Sequence, residues 1–193
     1  MPEERPPLLL SFATGQSDPR GHALSPVQQA FLDRLPVPAA FKLARNFPWR
    51  EATPPFRETA LLPASFFNLR QFFAAQHASF ARRHRADVAA WAARAEHHLV
   101  FAGSCGLELL RRLELPAELW PRLSVFAYGP VVCGKVPWRV FTVQGRFDFI
   151  SKPFVRRPDV VVAAGHLDYL ESPEVLAWAH TFLRQVLAEV GHP

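Results

Sequence analysis

Cysteine, methionine and tyrosine are scarce in this chain of 193 residues, which holds two, one and two of them. Two cysteines, Cys105 and Cys133, make neither a disulfide framework nor a metal site. The eight histidines follow no recurrent ligand spacing, so neither a metal nor an organic cofactor is expected. The adjacent pair His97-His98 heads a run expected to be extended, where alternation turns the two rings to opposite faces. No apolar run reaches the ~18 residues of a span, and no membrane partner is expected. The start, Met1-Pro2-Glu3-Glu4-Arg5, lacks a basic segment ahead of a long apolar stretch. No signal peptide is therefore evident, and a reduced, cytoplasmic protein is expected. Internal repeats and low-complexity segments are lacking too.

What is present is a globular composition, 49% hydrophobic and 20% charged. The length suits a single domain over residues 1–193 with a real core. The net charge of +5 comes from arginine, with little lysine. It favours an acidic partner or reflects only a bias toward Arg and Ala. No basic–aromatic interleaving of the kind that reads single strands stands out, so no nucleic acid is expected. The 19 prolines fall mostly in the first third and at element starts, as ordered, extended connections would require.

The apolar run Leu8 to Ala13 reads as a strand buried on both faces, stopping at Thr14-Gly15-Gln16. Ser25-Pro26-Val27-Gln28 is a helix start, with a Ser cap, Pro at the first helical position and Gln to close a capping box. That helix is expected to reach about Leu35. Residues 38–44 are a weaker strand. Residues 45–63 form a long irregular excursion, a length often tied to function. A helical pattern then runs from Ser65 to Glu96. Phe66, Leu69, Phe73 and Phe80 share one stripe and Val88, Trp91 and Ala95 another. Arg82-Arg83-His84-Arg85 is the expected break between two helices. The apolar stripes read as packing surface, part of which is placed to cover an open site.

The second half alternates more regularly. Strands are expected at 98–102, 123–128, 138–143 and 159–164, with helices over 105–113 and from Ser172-Pro173 onward. The last helix carries Val175, Leu176, Ala179, Leu183, Val186 and Val190 on one face. Continuous apolar strands alternating with helices imply an α/β fold. The expected sheet is mostly parallel, of about six strands, and covered on both faces.

The strand ending at residue 102 runs into Ala102-Gly103-Ser104-Cys105-Gly106, with a helix at once behind it. A strand–sharp turn–helix unit of this kind strains its serine and holds it clear of the backbone. Small residues two before and two after let strand and helix pass closely. Asp148 and His166 each follow the end of a later strand, where open α/β sheets place their sites. A serine hydroxyl needs a neutral imidazole to take its proton, and the imidazole needs a carboxylate to fix its tautomer.

Ala102-Gly103-Ser104-Cys105-Gly106 resembles the nucleophile elbow of the α/β-hydrolase family, and the order Ser, Asp, His is that family's order. Gly145-Arg146-Phe147-Asp148 looks like its acid-bearing turn and Ala164-Gly165-His166 like its histidine turn. The resemblance covers residues 8 to about 190. It implies a small, lidless member that lacks the family's first two strands and the insertion between its sixth and seventh. The implied activity is cleavage of a carboxylic ester or thioester through an acyl-serine. Ser104 is the implied nucleophile, His166 the base and Asp148 the acid. The Cys105 and Gln16 N–H groups are the implied oxyanion donors, with Gly15 permitting the turn. Thr14-Gly15 stands where the family often carries His-Gly.

Other readings of the same residues stay open. Acyl transfer to another acceptor uses the same triad, and an acidic acyl-carrier protein suits the charge. A silent scaffold that binds a ligand is the alternative of a different class. Cys105 is the rival nucleophile one register over, but Leu107 would crowd that elbow. Asp168 lies too close to His166 and is expected to cap locally; Asp159 begins a strand. Arg45, Arg50 and Arg57 either line an entrance for an anionic substrate or are merely solvated. An open sheet edge leaves room for a homo-oligomer.

Overall fold

The computed structural model describes residues 5–16, 21–51, 54–58 and 61–191, with the side chains of 61–65 excepted. The N-terminal stretch before Arg5, residues 52–53 and 59–60 of the expected excursion, and the last two residues lie outside this set. Six strands form one sheet: β1 (Leu8–Thr14), β2 (Lys42–Asn46), β3 (His97–Gly103), β4 (Leu123–Tyr128), β5 (Arg139–Gly145) and β6 (Val160–Val162). Every strand pair is parallel, in the order β2-β1-β3-β4-β5-β6. The fold is thus α/β, as the alternation of apolar runs and helical patterns predicts.

The pleat explains the two cores. Leu8, Leu10 and Phe12 of β1, Leu99 and Phe101 of β3, and Phe126 of β4 pack on one face. Helices α1 (Pro26–Asp33) and α5 (Pro173–Glu189) cover them through Phe31, Leu32, Phe182 and Leu183. The alternate residues, Leu9, Val100, Ala102, Val125 and Ala127, face a second core. That core is closed by α3 (Ser79–Ala92), α4 (Gly106–Arg112) and the end of α2 (Leu61–Ala75). His97 and His98 do face opposite ways. His97 Nε2 lies 3.1 Å from Ser124 Oγ, whereas the His98 ring sits 4.1 Å from that of Trp91.

Local chemistry sets the element ends. Ser25 caps α1 by accepting from Gln28 N, and the Gln28 side chain accepts from Ser25 N, the reciprocal box that Ser-Pro-Val-Gln predicts. Ser172 caps α5 in the same way, without the return bond. The excursion after β2 is anchored early. Trp49 Nε1 donates to Phe12 O at 2.8 Å, and its ring stacks on Trp91 at 4.3 Å.

Several boundaries differ from the sequence reading. A short 3-10 turn occupies Ala39–Phe41, so β2 starts later and runs to Asn46. β5 runs on to Gly145, and β6 is confined to Val160–Val162. The long helical pattern breaks at 76–78, not at Arg82-Arg83-His84-Arg85, which lies inside α3. Exposed arginines are good helix formers, and the His84–Asp87 pair at 3.0 Å braces that turn. Phe66, Leu69 and Phe73 are exposed, so the expected stripe splits and only Phe80 is core. The inward residues of α2 include Asn68, Gln71, Phe72 and Ala75, two of them amides. Those amides reach the loop that follows β1.

Candidate active site

The strand order reverses direction around β1, with β2 on one side and β3 on the other. The carboxyl ends of β1 and β3 therefore flank the topological switch point, where open sheets bind ligands. Ser104 follows β3 there, and Gly15 and Gln16 follow β1.

Ser104 is the hinge of the elbow. Its φ of 52° lies in the left-handed region, a strain of about 1–3 kcal/mol for a non-glycine residue. The strain is held from both sides: Ser104 N donates to Tyr128 O at 3.2 Å, and Val131 N donates to Ser104 O at 2.9 Å. Gly106 opens α4 directly over β1, where an added Cβ would stand 1.7 Å from Ala13 O. Only glycine allows that crossing. Ser104 is half-buried and its Oγ lies 3.0 Å from His166 Nε2.

His166 Nδ1 lies 2.9 and 3.0 Å from the two Asp148 oxygens. With the Nδ1 proton pointed at the carboxylate, Nε2 is free to accept from Ser104 Oγ–H. Asp148 itself is fully buried. Its Oδ1 accepts from Ile150 N and Ser151 N, each at 3.0 Å, and its Oδ2 accepts from Ser151 Oγ and Tyr169 Oη, each at 2.7 Å. Burial pushes this carboxyl up, but the bonds from His166, Ser151 and Tyr169 outweigh it and hold it below the ordinary value. Asp148 thus stays ionised without solvent.

Tyr169 and Ser151 were not singled out from the sequence. Tyr169 Oη also accepts from Gly145 N at 2.6 Å, so the phenol ties the end of β5 to the carboxylate. Their spacing was the available signal: Ser151 stands three residues after Asp148, and Tyr169 three after His166. Asp168 caps locally as expected, accepting from Gly165 N at 2.7 Å. Asp159 accepts from Thr142 N and Thr142 Oγ1 at the start of β6.

Cys105 is buried, and burial raises its thiol to about 12. A neutral thiol is a poor nucleophile, which weighs against the rival register on Cys105. The Cys105 N–H stands at the start of α4, next to Ser104.

The loop after β1 is differently occupied. Gln16 N donates to Gln71 Oε1 at 2.8 Å, and Gln71 Nε2 returns a bond to Gln16 Oε1 at 3.0 Å. The N–H expected to face an oxyanion is therefore held by α2. Gly15 lies tight beneath that helix, where a Cβ would meet Asn68 Oδ1 at 2.4 Å and Cys105 Sγ at 2.9 Å. The Asn68 oxygen is buried and accepts no hydrogen bond among the described residues. The Asn68–Gln71 pair carries no sequence signal that marks it, since its partner loop lies 55 residues away along the chain.

The three arginines separate. Arg50 is committed to Asp87 through two 2.9 Å bonds. Arg45 sits half-buried in β2, where it is the antiparallel bridge partner of Ala23. Arg57 lines a cleft of ≈ 160 Å³ together with Thr14, Gly15, Gln16 and Phe56. Arg50 lines a second cleft, of ≈ 240 Å³, which Gln16 also borders, so both Arg50 and Arg57 lie beside the loop after β1.

No family model matches the chain, and no curated protein matches it. Among solved structures, the chain is similar to a carboxylesterase from Mesorhizobium loti. The two are 18% identical over 94% of this chain and 90% of that one, with a TM-score of 0.42.

Proposed function

We propose that the protein is a single-domain serine hydrolase of the α/β-hydrolase type, cleaving a carboxylic ester or thioester. The observation that carries this reading is the continuous relay from Ser104 Oγ to His166 Nε2 at 3.0 Å and from His166 Nδ1 to Asp148 at 2.9 Å. The strained backbone of Ser104 supports it.

In this mechanism Ser104 Oγ attacks the carbonyl carbon as its proton passes to His166 Nε2. Asp148 stabilises the resulting imidazolium and keeps the ring in register. The carbonyl oxygen becomes an oxyanion and takes the Cys105 N–H. The Gln16 N–H is the second donor once Gln71 yields it. His166 then protonates the leaving alcohol or thiol as the acyl-serine forms. Water then attacks the acyl carbon as it gives a proton to His166, and His166 passes that proton to Ser104 Oγ as the serine–acyl bond breaks and the acid leaves. The cleft beside Gly15 and Gln16, with Arg57 at its rim, accepts the substrate group that lies beyond the oxyanion.

A fluorophosphonate probe tests the proposal directly. Wild-type protein is labelled, and Ser104→Ala is not. A panel of p-nitrophenyl esters and acyl thioesters is turned over by wild type, and His166→Ala loses about 10⁴-fold or more. Folded wild type that takes no label sinks the proposal in favour of a silent scaffold. Equal turnover by wild type and His166→Ala would show that the relay is not the mechanism.

A further inference from the structure

The turn that carries Asp148 also carries a surface that the proposed chemistry does not use. Phe147, Phe149, Ile150 and Phe154 are 61%, 75%, 56% and 40% exposed. Leu167, the residue after His166, is 73% exposed. Between residues 146 and 157 four cations alternate with these apolar side chains: Arg146, Lys152, Arg156 and Arg157, all exposed. The one acid in that stretch is Asp148, which is buried. The sequence reading recognised no such basic–aromatic interleaving; burial separates it from the core pattern of the neighbouring strands.

The tip is ordered by its own bonds. Ile150 N and Ser151 N donate to Asp148 Oδ1, and Phe154 N donates to Ser151 O at 2.9 Å. Lys152 Nζ donates to Arg146 O at 2.7 Å and lies 4.5 Å from the centre of the Phe149 ring. An internally hydrogen-bonded turn thus holds large apolar groups in water, in a stretch that also exposes four cations. The flanking acids Asp159 and Asp168 accept local bonds from Thr142 and Gly165 and, among the described residues, make no ion pair with the four cations.

We infer that this turn docks the protein on an anionic lipid surface, with Phe149 and Ile150 entering the headgroup layer. Apolar side chains flanked by Lys and Arg are the composition that interfacial segments use. Among the described residues no helix is long and apolar enough to cross a membrane, and docking needs none. A second copy is a poorer occupant, since a two-fold pairing of this face would oppose the same four cations. A single nucleic-acid strand fits less well, because Lys152 already covers a face of the Phe149 ring that a base would stack on. The docking side chains adjoin the relay along the chain, with Phe149 next to Asp148 and Leu167 next to His166. If the proposed hydrolysis holds, acyl lipids are then the substrate class.

Flotation with phosphatidylcholine–phosphatidylglycerol vesicles is the test, run beside pure phosphatidylcholine. Wild type and Ser104→Ala bind the anionic vesicles equally and the neutral ones weakly. Phe149→Ser/Phe154→Ser binds about tenfold more weakly, as does Lys152→Glu/Arg156→Glu/Arg157→Glu. Circular dichroism and fluorophosphonate labelling of both variants stay at the wild-type level, so loss of binding is read apart from loss of fold or chemistry. Wild type that fails to float, or a double variant that floats as well as wild type, overturns the inference. So does a patch-dependent dimer, a complex with an acidic acyl-carrier protein, or binding of an oligothymidine strand in place of vesicle binding.

Discussion

The two flanks of Ser104 are built in opposite ways. On the side of His166, every polar group of the buried acid is matched: Asp148 accepts from Ile150, Ser151 and Tyr169 as well as from the ring. On the side of β1, the Gln16 N–H is taken by Gln71, and the Asn68 oxygen is buried with no hydrogen bond among the described residues. The first flank is complete before any substrate arrives. The second holds the Gln16 N–H in a contact with α2. In the proposed mechanism, proton transfer is therefore preorganised, whereas charge stabilisation is conditional on α2.

The largest effect is expected on the completed flank. Asp148→Asn keeps the size of the side chain but offers the ring the wrong partner, and kcat falls on the order of 10⁴-fold. Steady-state turnover of a p-nitrophenyl ester measures it. An effect under about tenfold would mean that His166 is held by something other than this carboxylate. The conditional flank is expected to respond in the opposite direction. Gln71→Ala releases the Gln16 N–H, and acylation speeds up by about tenfold, a fraction of what one oxyanion donor supplies. A burst experiment reads the step, and a slower burst would show that Gln71 positions the loop instead of blocking it.

Tyr169→Phe removes one bond to Asp148 and leaves Gly145 N without its partner. The expected stability loss is about 1–3 kcal/mol by denaturant titration, with kcat several-fold lower. The pH dependence sharpens the same side. The folded-state value of Asp148 lies below the ordinary one, so its stabilisation is fully present above about pH 4. It is lost as the pH falls through the lower, folded-state value. Melting curves of wild type and Asp148→Asn converge as acid is added; parallel curves would refute the linkage. The smallest effect belongs between the flanks. Cys105→Ala keeps the backbone N–H and discards only a thiol raised to about 12, and kcat changes by less than about threefold.

Legibility followed the same division. The grouping of Ser104, Asp148 and His166 was readable because each follows the end of an expected strand, and strand ends are where such sheets gather side chains. The α1 cap was readable because its bonds join residues three apart. Gln71 and Asn68 were not, because a polar residue on a helix marks the outside by default. Here the helix turns its amides inward and leaves Phe66, Leu69 and Phe73 outside. Arg50 likewise looked free until Asp87, from a helix 37 residues on, claimed it. The helix break went to 76–78 because backbone turns at Gln76 and His77 close back on Phe73 and Ala74, a choice that composition does not record.

The passage of Gly106 over Ala13 has a mechanical consequence. With so little clearance, the first turn of α4 and the last peptides of β1 move as one piece. The gap between the Cys105 and Gln16 N–H groups then has a single adjustable span, the two peptide units on either side of Gly15. A helix leaning on that span, as α2 does through Asn68 and Gln71, acts as a set-screw on the aperture beside Ser104. If the proposed hydrolysis holds, tuning the protein toward larger or smaller acyl groups is a matter of reshaping the inner face of α2, with the elbow left untouched.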